Sequence, residues 1–164
     1  MKSMRLGMAA MLVALTAIGA AIKVPAIIGS VALDAFPALL AAVLLGGYGG
    51  AAVAAIGHLL SSLLGGMPLG PLHLLIAVEM ALLAFIFSSL YQRGRHWLAG
   101  ILFVLGNAFA APLPFIFIMG QAFYLAIVPS LFIGSVINAV IAYIAIPRLV
   151  KLVGPAMTKA GAEQ

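Results

Sequence analysis

The chain has no cysteine and only three acidic residues, Asp34, Glu79 and Glu163. The first absence excludes disulfides, thiolate metal sites and cysteine nucleophiles. The second leaves too few carboxylates to build a metal site, so neither a metal nor a cofactor is expected. Motifs for catalysis are also missing. No GxxxxGK[ST] stretch occurs, so this chain does not itself hydrolyse ATP. There is no HExxH and no Gly-x-Ser-x-Gly elbow. A Ser–His pair could be drawn from Ser61 or Ser62 with His58 or His73, but such pairs arise by chance in any chain, and an enzyme is not expected. Charge is scarce at 7% of residues, and no basic patch is interleaved with exposed aromatics. A nucleic-acid partner is therefore not expected either.

What is present is apolar. Of 164 residues 66% are hydrophobic, more than one soluble core of that size can hide, so lipid is the solvent. Seven of the eight Lys and Arg residues sit in three clusters: Lys2 with Arg5, Arg93 with Arg95, and Arg148 with Lys151 and Lys159. Cytoplasmic loops of membrane proteins concentrate Lys and Arg. Each cluster then faces the cytoplasm, and an even number of spans separates one from the next. The net charge of +5 is absorbed by these clusters and their attraction to anionic headgroups. Met1 to Ala21 has a basic start, an apolar run and small residues near its end. It is read as a span rather than a cleaved signal, because its removal would leave an odd number of crossings.

The spacing predicts a first span over 6–22, ending before Pro25, since the residue before a proline leaves the helical region. Residues 33–64 read as one long span or two short ones. The run Gly46-Gly47-Tyr48-Gly49-Gly50 marks a turn, and only two spans keep Arg93 and Arg95 on the side of Lys2. Span two is therefore placed at 33–45 and span three at 51–64, both short of the roughly 20 residues a full crossing takes. Span four covers 72–90, span five 97–118 with interruptions at Pro112 and Pro114, and span six lies within 123–146, closed by Pro147 and Arg148. Tyr91 and Trp97 flank the inner loop as interfacial aromatics. The expected fold is an all-α integral membrane protein with six transmembrane helices and both termini cytoplasmic. Residues 1–151 form the membrane domain and residues 152–164 a short polar tail, polar enough to fray.

Gly7, Ala10, Ala14, Ala17 and Ala21 recur at steps of three and four, so they share one face of the first helix. Small residues let a second helix backbone approach closely, either within this protein or from a partner. Lys23 stands on the outer side, against the charge trend, where a helix-end lysine can also snorkel to headgroups. Asp34 precedes Pro37 by three residues, the pattern of a helix N-cap. Glu79 lies roughly 12 Å below the outer helix end at the standard rise. A carboxyl at that depth is costly and faces a cavity or a partner. His58, His73, Asn107, Gln121 and Asn138 are the other polar candidates. Each alone serves more often as interhelical glue than as a ligand contact. His73 and Glu79 are about 120° apart around their helix and do not share a face. Phe36, Phe115, Phe117 and Phe123 lie at similar depth. Rings with a few hydrogen-bonding groups suit a flat, uncharged or zwitterionic organic molecule, and not a bare ion.

At Ala10-Met-Leu-Val-Ala14 on the first helix, and in its length, six helices and inward termini, the chain resembles the substrate-binding S components of energy-coupling factor (ECF) vitamin transporters. Ala20-Ala-Ile-Lys23-Val-Pro25, Ala32-Leu-Asp34-Ala-Phe-Pro37 and Pro68-Leu-Gly-Pro-Leu-His73 are most similar to the S components assigned to alpha-ribazole, a cobalamin precursor. The resemblance implies a multi-pass plasma-membrane subunit. Such a subunit captures a vitamin or precursor on the outer face and docks on a transmembrane T component. Two cytoplasmic ATPases then drive release. It also implies that Gly7, Ala10, Ala14 and Ala17 serve docking, and that the loop over 23–31 closes on the ligand. The substrate-binding residues expected are Lys23, Asp34, Phe36, His73, Glu79, Asn107, Gln121 and Asn138. The alternatives are an S component for another vitamin, or a stand-alone facilitator, which would need a polar path through both halves.

Overall fold

The computed structural model describes residues 2–25 and 30–162, with side chains at 3–22 and 32–153. Helix α1 spans Lys2–Ala21 and leads into a short antiparallel ribbon, β1 (Lys23–Pro25) with β2 (Ser30–Ala32), in which Val24 faces Val31. Then come α2 (Phe36–Leu44), α3 (Gly47–Leu64), a 3₁₀ turn (Gly70–Leu72), α4 (His73–Gln92) and α5 (His96–Leu105). A π-helical turn (Gly106–Ala110) leads on to α6 (Pro114–Met119), and α7 (Gln121–Ala162) ends the described chain. The protein is thus helical apart from one small ribbon. Five helices are long and apolar enough to cross a membrane: Ser3–Ala21, Gly47–Leu64, Gly70–Gln92, His96–Met119 and Gln121–Val153.

The element that departs most from expectation is α2. Its nine residues rise only about 13 Å, too little to span lipid alone. Pro37 sits in its first turn, and Gly46 ends it with φ +84°, a conformation costly for a side chain. Gly47, Gly49 and Gly50 do not extend the turn but form the first turn of α3. A Cβ on Gly50 would lie 2.5 Å from the Ala42 Cα, so bare glycine lets α3 lie directly on the α2 backbone. Lipid does not wet α2. Leu39, Leu40, Ala41 and Ala42 are completely enclosed, and α2 packs on α1, α3, α4 and α7. The Ser88 hydroxyl of α4 donates to the Ala42 carbonyl at 2.6 Å. Around this centre the helices cross on alanines 54, 84, 99 and 142, with Phe87 filling the space between α4, α5 and α7.

Span five is broken where the prolines stand. Pro112 has no N–H to return to the carbonyl four residues back, and its ring would crowd that carbonyl. The chain answers by widening: the Ala111 N–H donates to the Gly106 carbonyl, five residues back, at 2.8 Å. Pro147 does not close the last helix as expected. Helix α7 continues through it and past the polar boundary at 152, and Arg148 donates to the Ile144 carbonyl at 2.7 Å in the loosened turn.

Arg5, Arg93, Arg95 and Arg148 gather at one end of the bundle. Arg5 donates to the Leu45 carbonyl where α2 meets α3. The Tyr91 ring stacks on His96 at 4.1 Å between centroids, and the Tyr143 hydroxyl donates to the His96 carbonyl. Arg93, Arg95 and Arg148 therefore stand near the level of Arg5. The ribbon, the 3₁₀ turn and the α6–α7 turn lie at the opposite end.

Candidate functional site

At the end opposite the basic cluster, α4, the π turn, α6 and α7 enclose a cavity of about 70 Å³. Helix α4 places Glu79 on its wall and the π turn places Asn107 beside it. The rings of Phe115 and Phe123, 6.0 Å apart, form the apolar side together with Ile76 and Leu131. The Asn107 amide donates to the Ser135 hydroxyl at 2.8 Å, and that hydroxyl donates to the Leu131 carbonyl at 2.6 Å. Asn107 is held by α7 even though its own helix has been widened. Glu79 is not held in this way: its Oε2 is buried and has no hydrogen-bond partner among the described residues. A buried oxygen left without a partner costs about 1–3 kcal/mol, more if charged. Within a chain this apolar, that oxygen marks where a donor from outside the protein would be rewarded.

Asp34 and His73 lie in a different polar group. Asp34 does not cap α2; Ala35 stands at the cap with no side-chain bond. Its carboxylate accepts from the Ser61 hydroxyl of α3 at 2.7 Å. One turn earlier on α3, His58 Nε2 meets His73 Nδ1 of α4 at 3.1 Å. The Leu69 N–H approaches His73 Nε2 at 3.4 Å, which assigns the proton to Nδ1 and makes His73 the donor to His58. These four side chains join α3 to α4 and to the segment before α2.

The missing cap is supplied from the far end of the sequence. Asn138 on α7 is 3% exposed, and its Oδ1 accepts from the N–H groups of Ala35 (3.0 Å) and Phe36 (2.9 Å). Its Nδ2 donates to the carbonyls of Ala32 (3.0 Å) and Gly134 (2.9 Å). All of its ordinary hydrogen-bonding capacity is therefore used in holding the end of the ribbon and the start of α2 onto α7. Phe36 is half-buried against the core beside this cap. Gln121 is exposed as the first residue of α7. Lys23 contributes its backbone to β1. Its side chain, like residues 26–29 of the loop expected to close on the ligand, lies outside the described part.

Of the eight residues expected at the site, Glu79 and Asn107 meet on one cavity. Ser135, which carried little weight in the sequence, does not line the cavity but holds Asn107 there. Its role depends on a partner 28 residues away that no local pattern reveals. On α1, Met8, Leu12 and Thr16 turn inward, while Gly7, Ala10 and Ala14 are exposed and Ala17 is half-buried. A Cβ built on Gly7 would meet nothing within 4 Å.

A helical bundle with five membrane-length apolar helices among the described residues, and a small, mostly apolar cavity with a lone carboxyl in its wall, fits a membrane protein that takes up a small molecule. The sequence matches the family model described as "ECF transporter, substrate-specific component" over residues 4–157, and the chain belongs to that family. It is accordingly the substrate-capture subunit of a transporter and not an enzyme, a multi-pass plasma-membrane protein. Its family implies a small-molecule substrate, a T component and ATPases as partners. Searches among curated proteins and among solved structures found no match.

Proposed function

We propose that this S component captures a vitamin or vitamin precursor, alpha-ribazole foremost, in the cavity walled by Glu79, Asn107, Phe115 and Phe123. The observation that carries this reading is the buried, unpartnered Glu79 Oε2 on that wall. A carboxyl there accepts from a hydroxyl or N–H of the ligand, and the two rings take a flat heterocycle between them. Ligand pockets occupy about 300–1,000 Å³, so the 70 Å³ cavity would have to widen to take a vitamin. Helix α6 is the element free to widen it. It is six residues long, set off by Pro112 and Pro114 on one side and Gly120 on the other.

Phe36, Asn138 and the loop over 23–31 act from the lid side, Asn138 by anchoring the lid and Lys23 by closing on the ligand. Asp34, His73 and Gln121 are outer contacts of lower weight. The chain crosses the membrane six times, α2 being the buried second crossing, with both termini on the basic, cytoplasmic side. Residues 1–151 are the membrane domain and 152–164 a tail. The exposed Gly7–Ala10–Ala14–Ala17 stripe docks on the T component.

The test is mass spectrometry of small molecules released from the purified, denatured protein. The expected result is alpha-ribazole, or another vitamin or precursor, at near one-to-one ratio. Occupancy should fall at least tenfold in Glu79→Gln and much less in Asp34→Asn. Equal or reversed losses would move the site to the Asp34–Ser61 group. Transport by the chain alone in liposomes would replace the capture reading with a facilitator.

A further inference from the structure

A second concavity lies on the lipid-facing side and shares no lining residue with the Glu79 cavity. Helices α5 and α7 diverge to leave a groove of about 740 Å³. Its walls carry Trp97, Ile101, Leu105, Phe132 and Val140, all exposed, and its floor includes Gly100 and Ala139. At the basic end the groove shares Tyr143 and Ile144 with a further hollow of about 410 Å³ lined by Pro147, Arg148 and Lys151. Arg148 and Lys151 are exposed, and the Arg148 guanidinium bends back to the Ile144 carbonyl, so it lies over the mouth of the groove. Among the described residues no acidic side chain lines either hollow.

We infer that this groove binds an anionic phospholipid of the inner leaflet, one acyl chain lying between α5 and α7 and the phosphate resting on Arg148 and Lys151. Three features select this occupant. A partner helix needs small residues on the facing surfaces to come close. Here the walls are bulky and the small residues lie at the bottom of a cleft, a shape that fits a chain of methylenes. Two cations at one end of an apolar cleft, with no carboxylate to neutralise them, match a phosphate attached to an acyl chain. Trp97, 87% exposed, stands at the same end, at the headgroup level such side chains prefer. The site rests on the basic end being cytoplasmic and does not depend on which vitamin the outer cavity takes.

The test uses the full chain, delipidated in neutral detergent, with phosphatidylglycerol and phosphatidylcholine as probes, and reads bound lipid by native mass spectrometry. Phosphatidylglycerol is expected to bind tighter than phosphatidylcholine. The Arg148→Gln/Lys151→Gln protein should lose roughly thirty-fold in affinity, at about 1 kcal/mol for each basic residue near a charged surface. Val140→Trp leaves both cations in place but fills the cleft, and it should lower binding comparably. Vitamin occupancy in the same preparations should be unchanged in both variants, which separates this site from the outer cavity. Equal binding of the two lipids overturns the proposal. So does unimpaired phosphatidylglycerol binding in Val140→Trp, which would mean that headgroups only adsorb to the basic end. Exclusion of the lipid by a bound T component, with crosslinks from Val140 to it, would assign the groove to a protein instead.

Discussion

At the scale of single residues, Asn138 shows how one side chain ties a site to its lid. It satisfies two N–H groups at the start of α2 and a carbonyl at the end of β2. Asn138→Ala leaves those groups unpaired. With about 1–3 kcal/mol for each buried unsatisfied group and partial relaxation, the loss should reach roughly 3 kcal/mol. Thermal unfolding in detergent should show a clearly lower midpoint, whereas Gln121→Ala, on an exposed side chain, should leave it unchanged. A midpoint for Asn138→Ala equal to that of the wild type would show that the cap carries no weight. In the sequence this residue reads as glue or as a ligand contact, and Asp34 reads as the cap. Local spacing ranks Asp34 first because N-caps are usually supplied by the neighbouring chain. A cap donated by a helix a hundred residues away leaves no local pattern. Glu79 was legible for the opposite reason: an isolated carboxyl in a long apolar run needs an explanation wherever the fold puts it.

At the scale of elements, hydropathy locates the long helices to within a few residues, because lipid demands unbroken apolar runs and the polar loops mark their ends. It fails where backbone geometry takes over. The break in span five follows from Pro112 and Pro114, but the π turn that keeps Asn107 aimed at Ser135 depends on how α7 packs there. The shortness of α2 and the continuation of α7 through Pro147 are likewise set by neighbours. Helix α1 is the element whose faces separate most clearly, with Met8, Leu12 and Thr16 inward and Gly7, Ala10 and Ala14 outward. Because Ala10 and Ala14 are exposed and no described residue covers them, Ala10→Trp/Ala14→Trp should leave folding and vitamin occupancy intact. The variant should lose co-purification of the T component and uptake in cells. Loss of the bound vitamin together with the T component would show that the stripe serves packing inside the S component.

For the whole molecule, the decisive matter is whether α2 carries the chain back across the bundle. Arg5 reaching the Leu45 carbonyl joins the start of α1 to the end of α2, and the Gly46 backbone lies beside the Gln92 side chain. Those contacts put the start of α1, the α2–α3 turn and the α4–α5 turn at one level. On the positive-inside trend we propose that this level is cytoplasmic. The absence of native cysteine makes this testable without background, since each introduced thiol is the only one in the protein. Ser3→Cys, Tyr48→Cys, Gln92→Cys and Leu152→Cys all fall on exposed positions at the basic end, and Pro68→Cys and Gln121→Cys on exposed positions at the other. A membrane-impermeant maleimide added to intact cells should label the last two at once and the first four only after permeabilisation. Tyr48, 85% exposed in the first turn of α3, is the critical position. If it and Gln92 label from outside while Ser3 does not, the chain crosses only five times between Ser3 and the end of α7, its later spans are reversed, and α2 is a buried plug, not a crossing. Arg93 and Arg95 would then face the exterior, and the phospholipid site at Arg148 would have to be reassigned with them. Protection of Tyr48 and Gln92 alongside Ser3 makes α2 a helix that crosses by being enclosed in protein, which is how so short an element can traverse a bilayer without exposing its ends to lipid.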